Sequence, residues 1–148
     1  MNITLWIIAG LLAIAYLTVG MMKIVRPYES IAANRNMAWA KDVAPAGVKV
    51  IGGIEIIGAL GLILPQATGI AELLTPLAAS GLIAFQLVAF VVHARRKQYA
   101  NLPVNVVFAA AALFVAVGRF WHWHWRYRPM PYDRQPEPRS VRKINNLF

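Results

Sequence analysis

There is no cysteine in this sequence. That absence excludes a disulfide framework, a thiolate metal centre and a thiol nucleophile. Acid is also scarce, with 6 Asp and Glu against 15 Lys and Arg, and the formal charge is +9. Charge of either sign makes up only 14% of the residues, whereas soluble domains carry about a quarter. Signatures of catalysis are missing too. The sequence holds no glycine-rich phosphate loop, no HExxH and no Ser-His-acid arrangement that spacing supports. The basic residues flank apolar runs or lie in the tail, a placement that argues against nucleic-acid binding.

What remains is apolar, 59% of the chain, and it falls in long blocks. A helix crosses the hydrocarbon of a bilayer with about 20 apolar residues. Residues 3–22, 47–64, 76–93 and 102–120 meet that requirement, bounded by "KIVRP", "LPQATG", "HARRKQ" and "GRF". Thr75 and Asn101 are the expected N-caps of the third and fourth runs, with Pro76 and Pro103 in their first turns. Residues 69–74 offer an extension of the third run around a proline kink. The first block has no basic n-region and no small-x-small cleavage site, so it reads as a retained span. The expected class is all-α, an integral membrane four-helix bundle over residues 1–120. A basic, mostly irregular C-terminal tail follows over 121–148.

Between the first two spans, residues 23–46 have room for a short surface helix, with Trp39 as an interfacial anchor. Helices in lipid associate through small residues. Ala9 with Ala13, Ser80 with Ala84, Ala112 with Ala116, and Gly58 with Gly61 are the candidate contacts.

The stretch "IGGIEIIGALGLILP" carries a lone carboxylate, Glu55. Let side B be the side that holds the first and third loops, and side A the other. At 1.5 Å per residue from Gly47, Glu55 lies about 12 Å below side B. Gln86 lies about 10 Å deep, two turns before His93 on one helix face. Tyr16 stands in the same relation to Lys23. Asn105, Lys23 and Lys49 sit near the side B boundary. The polar groups thus gather toward side B, and the side A halves read as nearly free of them. A carboxylate at that depth is costly and needs a partner. Lys23, Lys49, His93 and Gln86 are the candidates. Two readings stay open for Glu55, a functional pocket or a structural polar contact that fixes helix register.

The tail opens with "WHWHWRY". Trp121, Trp123 and Trp125 suit a membrane interface. With Arg126 and Arg128 they form a candidate partner-docking or lipid-contacting segment. His122 and His124 are two metal ligands without a third, too few for a site. No metal and no resident cofactor is expected. Counting Lys and Arg in short loops puts side B in the cytoplasm and both termini together outside.

The pieces "AGLLAIAYLTVGMMKI", "VKVIGGIEIIGALGLILP", "LTPLAASGL" and "HARRKQ", in this order, resemble the DoxX-like family of small four-span membrane proteins. Lys23, Glu55, Pro65 and His93 match that family's recurrent polar and turn positions. The family name derives from a subunit of a thiosulfate:quinone oxidoreductase, and some members are tied to membrane complexes of redox homeostasis. The resemblance therefore implies an accessory or scaffold subunit of a larger respiratory or redox complex, expected in a bacterial plasma membrane. The alternative is a small membrane enzyme or carrier that handles a quinone, lipid or other apolar molecule around Glu55. The tail after "GRF" departs from the family pattern and is the expected docking element for partner subunits.

Overall fold

The computed structural model describes residues 2–126. In lipid every backbone N–H and C=O needs an internal partner, and the helix supplies it within one segment. Accordingly the apolar runs form α1 (Asn2–Val25), α3 (Pro45–Thr68), α4 (Leu74–Arg95) and α5 (Leu102–Arg126). All 4 are long and apolar enough to cross a membrane. α1 packs on α3, α3 on α4, α4 on α5 and α5 back on α1, so the helices close into a bundle. The fold is all-α among the described residues.

The helices outrun the runs that hydropathy marks. α3 carries Pro65 inside and stops only at Gly69, which caps it in the left-handed conformation with φ 68°. That cap rules out the extension of α4 through residues 69–74. Thr75 is not a cap either, because α4 starts at Leu74 after Leu73, and Thr75 is buried in the first turn. Asn101 ends a 3₁₀ turn, Tyr99–Asn101, and spends its side chain elsewhere: Nδ2 donates to the Asn36 carbonyl at 3.2 Å. α5 continues through Trp121 to Arg126, past the expected boundary at 120.

Small side chains fill the bundle axis. Ala9, Ala13, Ala59, Ala79, Ala112 and Ala116 are buried with Leu12, Leu62, Leu82 and Val115. Ser80 and Ala84 face outward; the contact face of α4 lies one residue earlier, on Ala79 and Leu82. Ser80 bonds its own helix, Oγ donating to the Pro76 carbonyl at 2.8 Å. The outer faces display Ile3, Ile7, Leu11, Ile57 and Val117 among other apolar chains, as a lipid solvent requires.

On side B the first loop folds into α2 (Tyr28–Ala33) and a 3₁₀ segment, Arg35–Asp42. Ile31, Ala40 and Val48 form a small core under it. The Tyr28 hydroxyl donates to the Ala40 carbonyl at 3.0 Å. Arg96 from the third loop donates to the Ala38 carbonyl at 2.9 Å and pairs with Asp42. The two side B loops are therefore tied to each other over the bundle end.

Candidate functional site

Four helices, the first loop and Asn101 line a partly open cavity of about 380 Å³ in the side B half. Each polar wall group is there because of its helical register. Tyr16 and Lys23 lie seven residues apart on the inner face of α1, and Gln86 and His93 do the same on α4. All are buried, together with Glu55 of α3 and Asn105 of α5. The cavity thus brings together Tyr16, Lys23, Glu55, Gln86, His93 and Asn105.

The partner of Glu55 is Lys23. Its Nζ donates to Glu55 Oε1 at 2.6 Å, and both side chains are 5% exposed. The ammonium also lies 5.3 Å from the centre of the Trp39 ring. Trp39 therefore covers a buried cation with one face while remaining half-buried in the side B loop. Gln86 Nε2 donates to the Tyr16 hydroxyl at 2.8 Å, while Phe108 meets the Tyr16 ring edge-on at 5.5 Å. His93 Nδ1 is 2.8 Å from Gln98 Oε1 and 3.2 Å from Asn101 Nδ2, so the histidine is joined to the third loop.

Lys49 is absent from this group. It is exposed, and six residues of helix separate it from Glu55, about 120° around the axis. The loop residues Asn36, Met37 and Trp39 line the cavity instead, with Phe85 and Phe108 as apolar walls.

Two wall atoms lack partners. Glu55 Oε2 and Asn105 Nδ2 are buried without a hydrogen bond among the described residues. The first is an acceptor and the second a donor. Unsatisfied polar atoms inside a bundle call for a ligand, a water or an ion. A cavity with aromatic walls and one acceptor and one donor left open suits a mainly apolar molecule that carries a hydroxyl or carbonyl group.

Side A holds polar groups that hydropathy did not reveal. Glu72, in the turn before α4, accepts from Arg126 Nη1 at 2.6 Å. Arg119 is 3% exposed and its Nη1 donates to Asn2 Oδ1 at 3.0 Å. Its guanidinium lies 4.9 Å from the Trp6 ring centre. The expectation of side A halves nearly free of polar groups is thereby corrected. The signal was present as a lone acid in one side A turn and two arginines at the end of α5, but pairing across chain-distant loops is set by packing.

The aromatic stretch is helical. Trp121 and Trp125, four apart, pack with centroids 5.9 Å apart, and Phe120 lies 6.2 Å from Trp123. His122 and His124 are two apart on a helix and so point about 200° from each other. No group of three or more potential metal ligands occurs among the described residues. Arg128 and the rest of the tail from residue 127 lie outside the described residues.

A family model described as the DoxX-like family matches residues 7–115. That stretch contains all of α3 and α4, most of α1 and α5, and every polar residue of the side B cavity. No curated protein and no solved structure matches the chain. With four spanning helices in a closed bundle and a match over most of its length, the chain belongs to the DoxX-like family of membrane proteins.

Proposed function

We propose that this protein binds the polar head of a membrane-dissolved apolar molecule, a quinone or a lipid, in the side B cavity. It does so as part of a larger redox complex in the plasma membrane. The observation that carries the reading is the pair of buried unpartnered polar atoms, Glu55 Oε2 and Asn105 Nδ2, in a cavity whose other polar groups largely pair with one another and whose remaining walls are apolar. Asn105 Nδ2 suits a carbonyl oxygen, and Glu55 Oε2 suits a hydroxyl that donates to it. The Lys23 ammonium holds Glu55 in place and offsets the cost of a carboxylate at that depth. Phe85 and Phe108 accommodate a ring or the start of an acyl chain. Membership in a larger complex rests on the family and on the basic tail beyond α5, whose arginines suit acidic partner surfaces or lipid headgroups.

Ligand retention tests the pocket. The protein is purified in mild detergent and extracted into organic solvent, and the extract is analysed by mass spectrometry. Wild type is expected to carry a quinone or lipid that Glu55→Gln and Asn105→Leu lose by about tenfold, the scale of one buried hydrogen bond to a charged or well-placed group. Equal retention by wild type and both variants sinks the pocket reading. Co-purification of larger subunits by wild type, lost on truncation after Arg126, tests membership in a complex separately.

A further inference from the structure

The arginine at the other end of the molecule is held as if for a ligand. Arg119 is 97% removed from solvent contact, given its 3% exposure. One face of its guanidinium lies against Trp6, and Nη1 is anchored to Asn2 Oδ1. The remaining edge, Nε and Nη2, is buried with no hydrogen-bond partner among the described residues. Those two N–H groups form the parallel fork that grips an oxyanion at two points. Two anchors therefore orient the guanidinium and leave its recognition edge without a partner among the described residues.

The charges around it leave room for an anion. Arg126 neutralises Glu72 through their 2.6 Å pair. Glu72 also acts on Arg119 through space, so two arginines share one carboxylate and the side A cluster keeps a surplus positive charge. Thr75, one turn after Glu72 at the same end of the bundle, is also buried with its hydroxyl unpartnered. A buried guanidinium that shares its nearby carboxylate with a second arginine is costly in a membrane protein, and a monoanion would balance the surplus charge and satisfy the two unpartnered donors. Depth points the same way. Arg119 lies seven residues, about 10 Å along the axis, before the end of α5. That is the region where α1 begins and where headgroups meet the protein. Asn2 is exposed and Trp6 half-buried, so the groups that anchor Arg119 reach the surface of the bundle end.

We infer that Arg119, oriented by Trp6 and Asn2, is a phosphate-binding site on side A, taking the phosphodiester of a lipid headgroup or a free phosphate through Nε and Nη2. This site is separate from the side B cavity and independent of what that cavity binds. A lysine retains the charge but lacks the fork, so Arg119→Lys distinguishes recognition from simple attraction.

Native mass spectrometry of the delipidated full-length protein reads the outcome. It is titrated in turn with phosphatidylglycerol, diacylglycerol and inorganic phosphate. Wild type is expected to bind phosphatidylglycerol and not diacylglycerol, with Arg119→Lys and Arg119→Gln weakened on the order of tenfold, the loss of one charge-assisted hydrogen bond. Competition by inorganic phosphate assigns the site to the free anion as well; its absence assigns the site to lipid. Asn2→Ala, which frees only one anchor, should weaken binding by a few-fold and serves if the arginine variants fail to fold. Gly10→Ala, where an added Cβ meets nothing within 4 Å, should leave it unchanged. Wild-type binding by Arg119→Lys, equal binding of diacylglycerol, or no phosphate-bearing adduct at all overturns the assignment.

Discussion

The Lys23–Glu55 pair joins α1 to α3 inside the side B half. Both groups are buried and 2.6 Å apart. Removing one partner strands the other in a low-dielectric surrounding, which costs about 3–5 kcal/mol. Lys23→Met should therefore destabilise the protein by that order, measured as the midpoint shift in a denaturing-detergent titration. Replacing both, Lys23→Met with Glu55→Leu, should recover most of the loss, because a well-packed apolar pair is often as stable as a buried ion pair. A double variant as unstable as the single one would mean that the loss comes from the lysine's other contacts, such as Trp39, and not from a stranded carboxylate. This contact was half legible in the sequence. Register counting places Gln86 near Glu55's depth, Tyr16 two turns below Lys23, and Lys23, His93 and Asn105 at the side B boundary above it. It did not fix the angle around each helix, so Lys49 was counted with them although it faces out. Trp39 and Asn36 reach the cavity from a loop, where no period applies.

Between elements, the closest approach is that of α1 and α3. A Cβ on Gly20 would lie 2.7 Å from the Gly52 carbonyl oxygen, and a Cβ on Gly52 equally close to the Gly20 carbonyl oxygen. Backbone cannot yield as a flexible side chain does, so the helices would have to separate. Gly20→Ala and Gly52→Ala should each cost about 1–3 kcal/mol, the scale of overpacking, and should loosen the Lys23–Glu55 pair beside them. Gly10→Ala, with nothing within 4 Å of its Cβ, should leave the same titration unchanged. Equal effects at all three positions would refute the close-approach account. Four apolar runs sufficed to foresee the helices, because lipid leaves a chain few other structures. Which small residues would touch was less legible. The pairs Ala9–Ala13 and Ala112–Ala116 point inward, whereas Ser80–Ala84 points out, a rotation of one residue on α4. The Gly20–Gly52 contact joins two different helices, and spacing along one chain carries no trace of it.

At the scale of the whole molecule, we propose that the described chain's two ends share the outer side of the membrane and that the basic side B loops lie in the cytoplasm. The lack of native cysteine makes this directly measurable. Lys97→Cys should react with an impermeant maleimide only from the cytoplasmic face, and Thr68→Cys only from the outer face. The reverse pattern would invert the orientation and place the cavity's mouth outside. The order of synthesis adds a consequence. Lys23 and Glu55 are 32 positions apart, and the ribosome makes the lysine first. A lysine near a helix end can stretch toward headgroups while it waits. A glutamate ten residues into its helix is too short to do so. The nascent chain thus presents the cation before the acid arrives, and α1 and α3 are expected to leave the insertion machinery as a joined hairpin rather than one at a time.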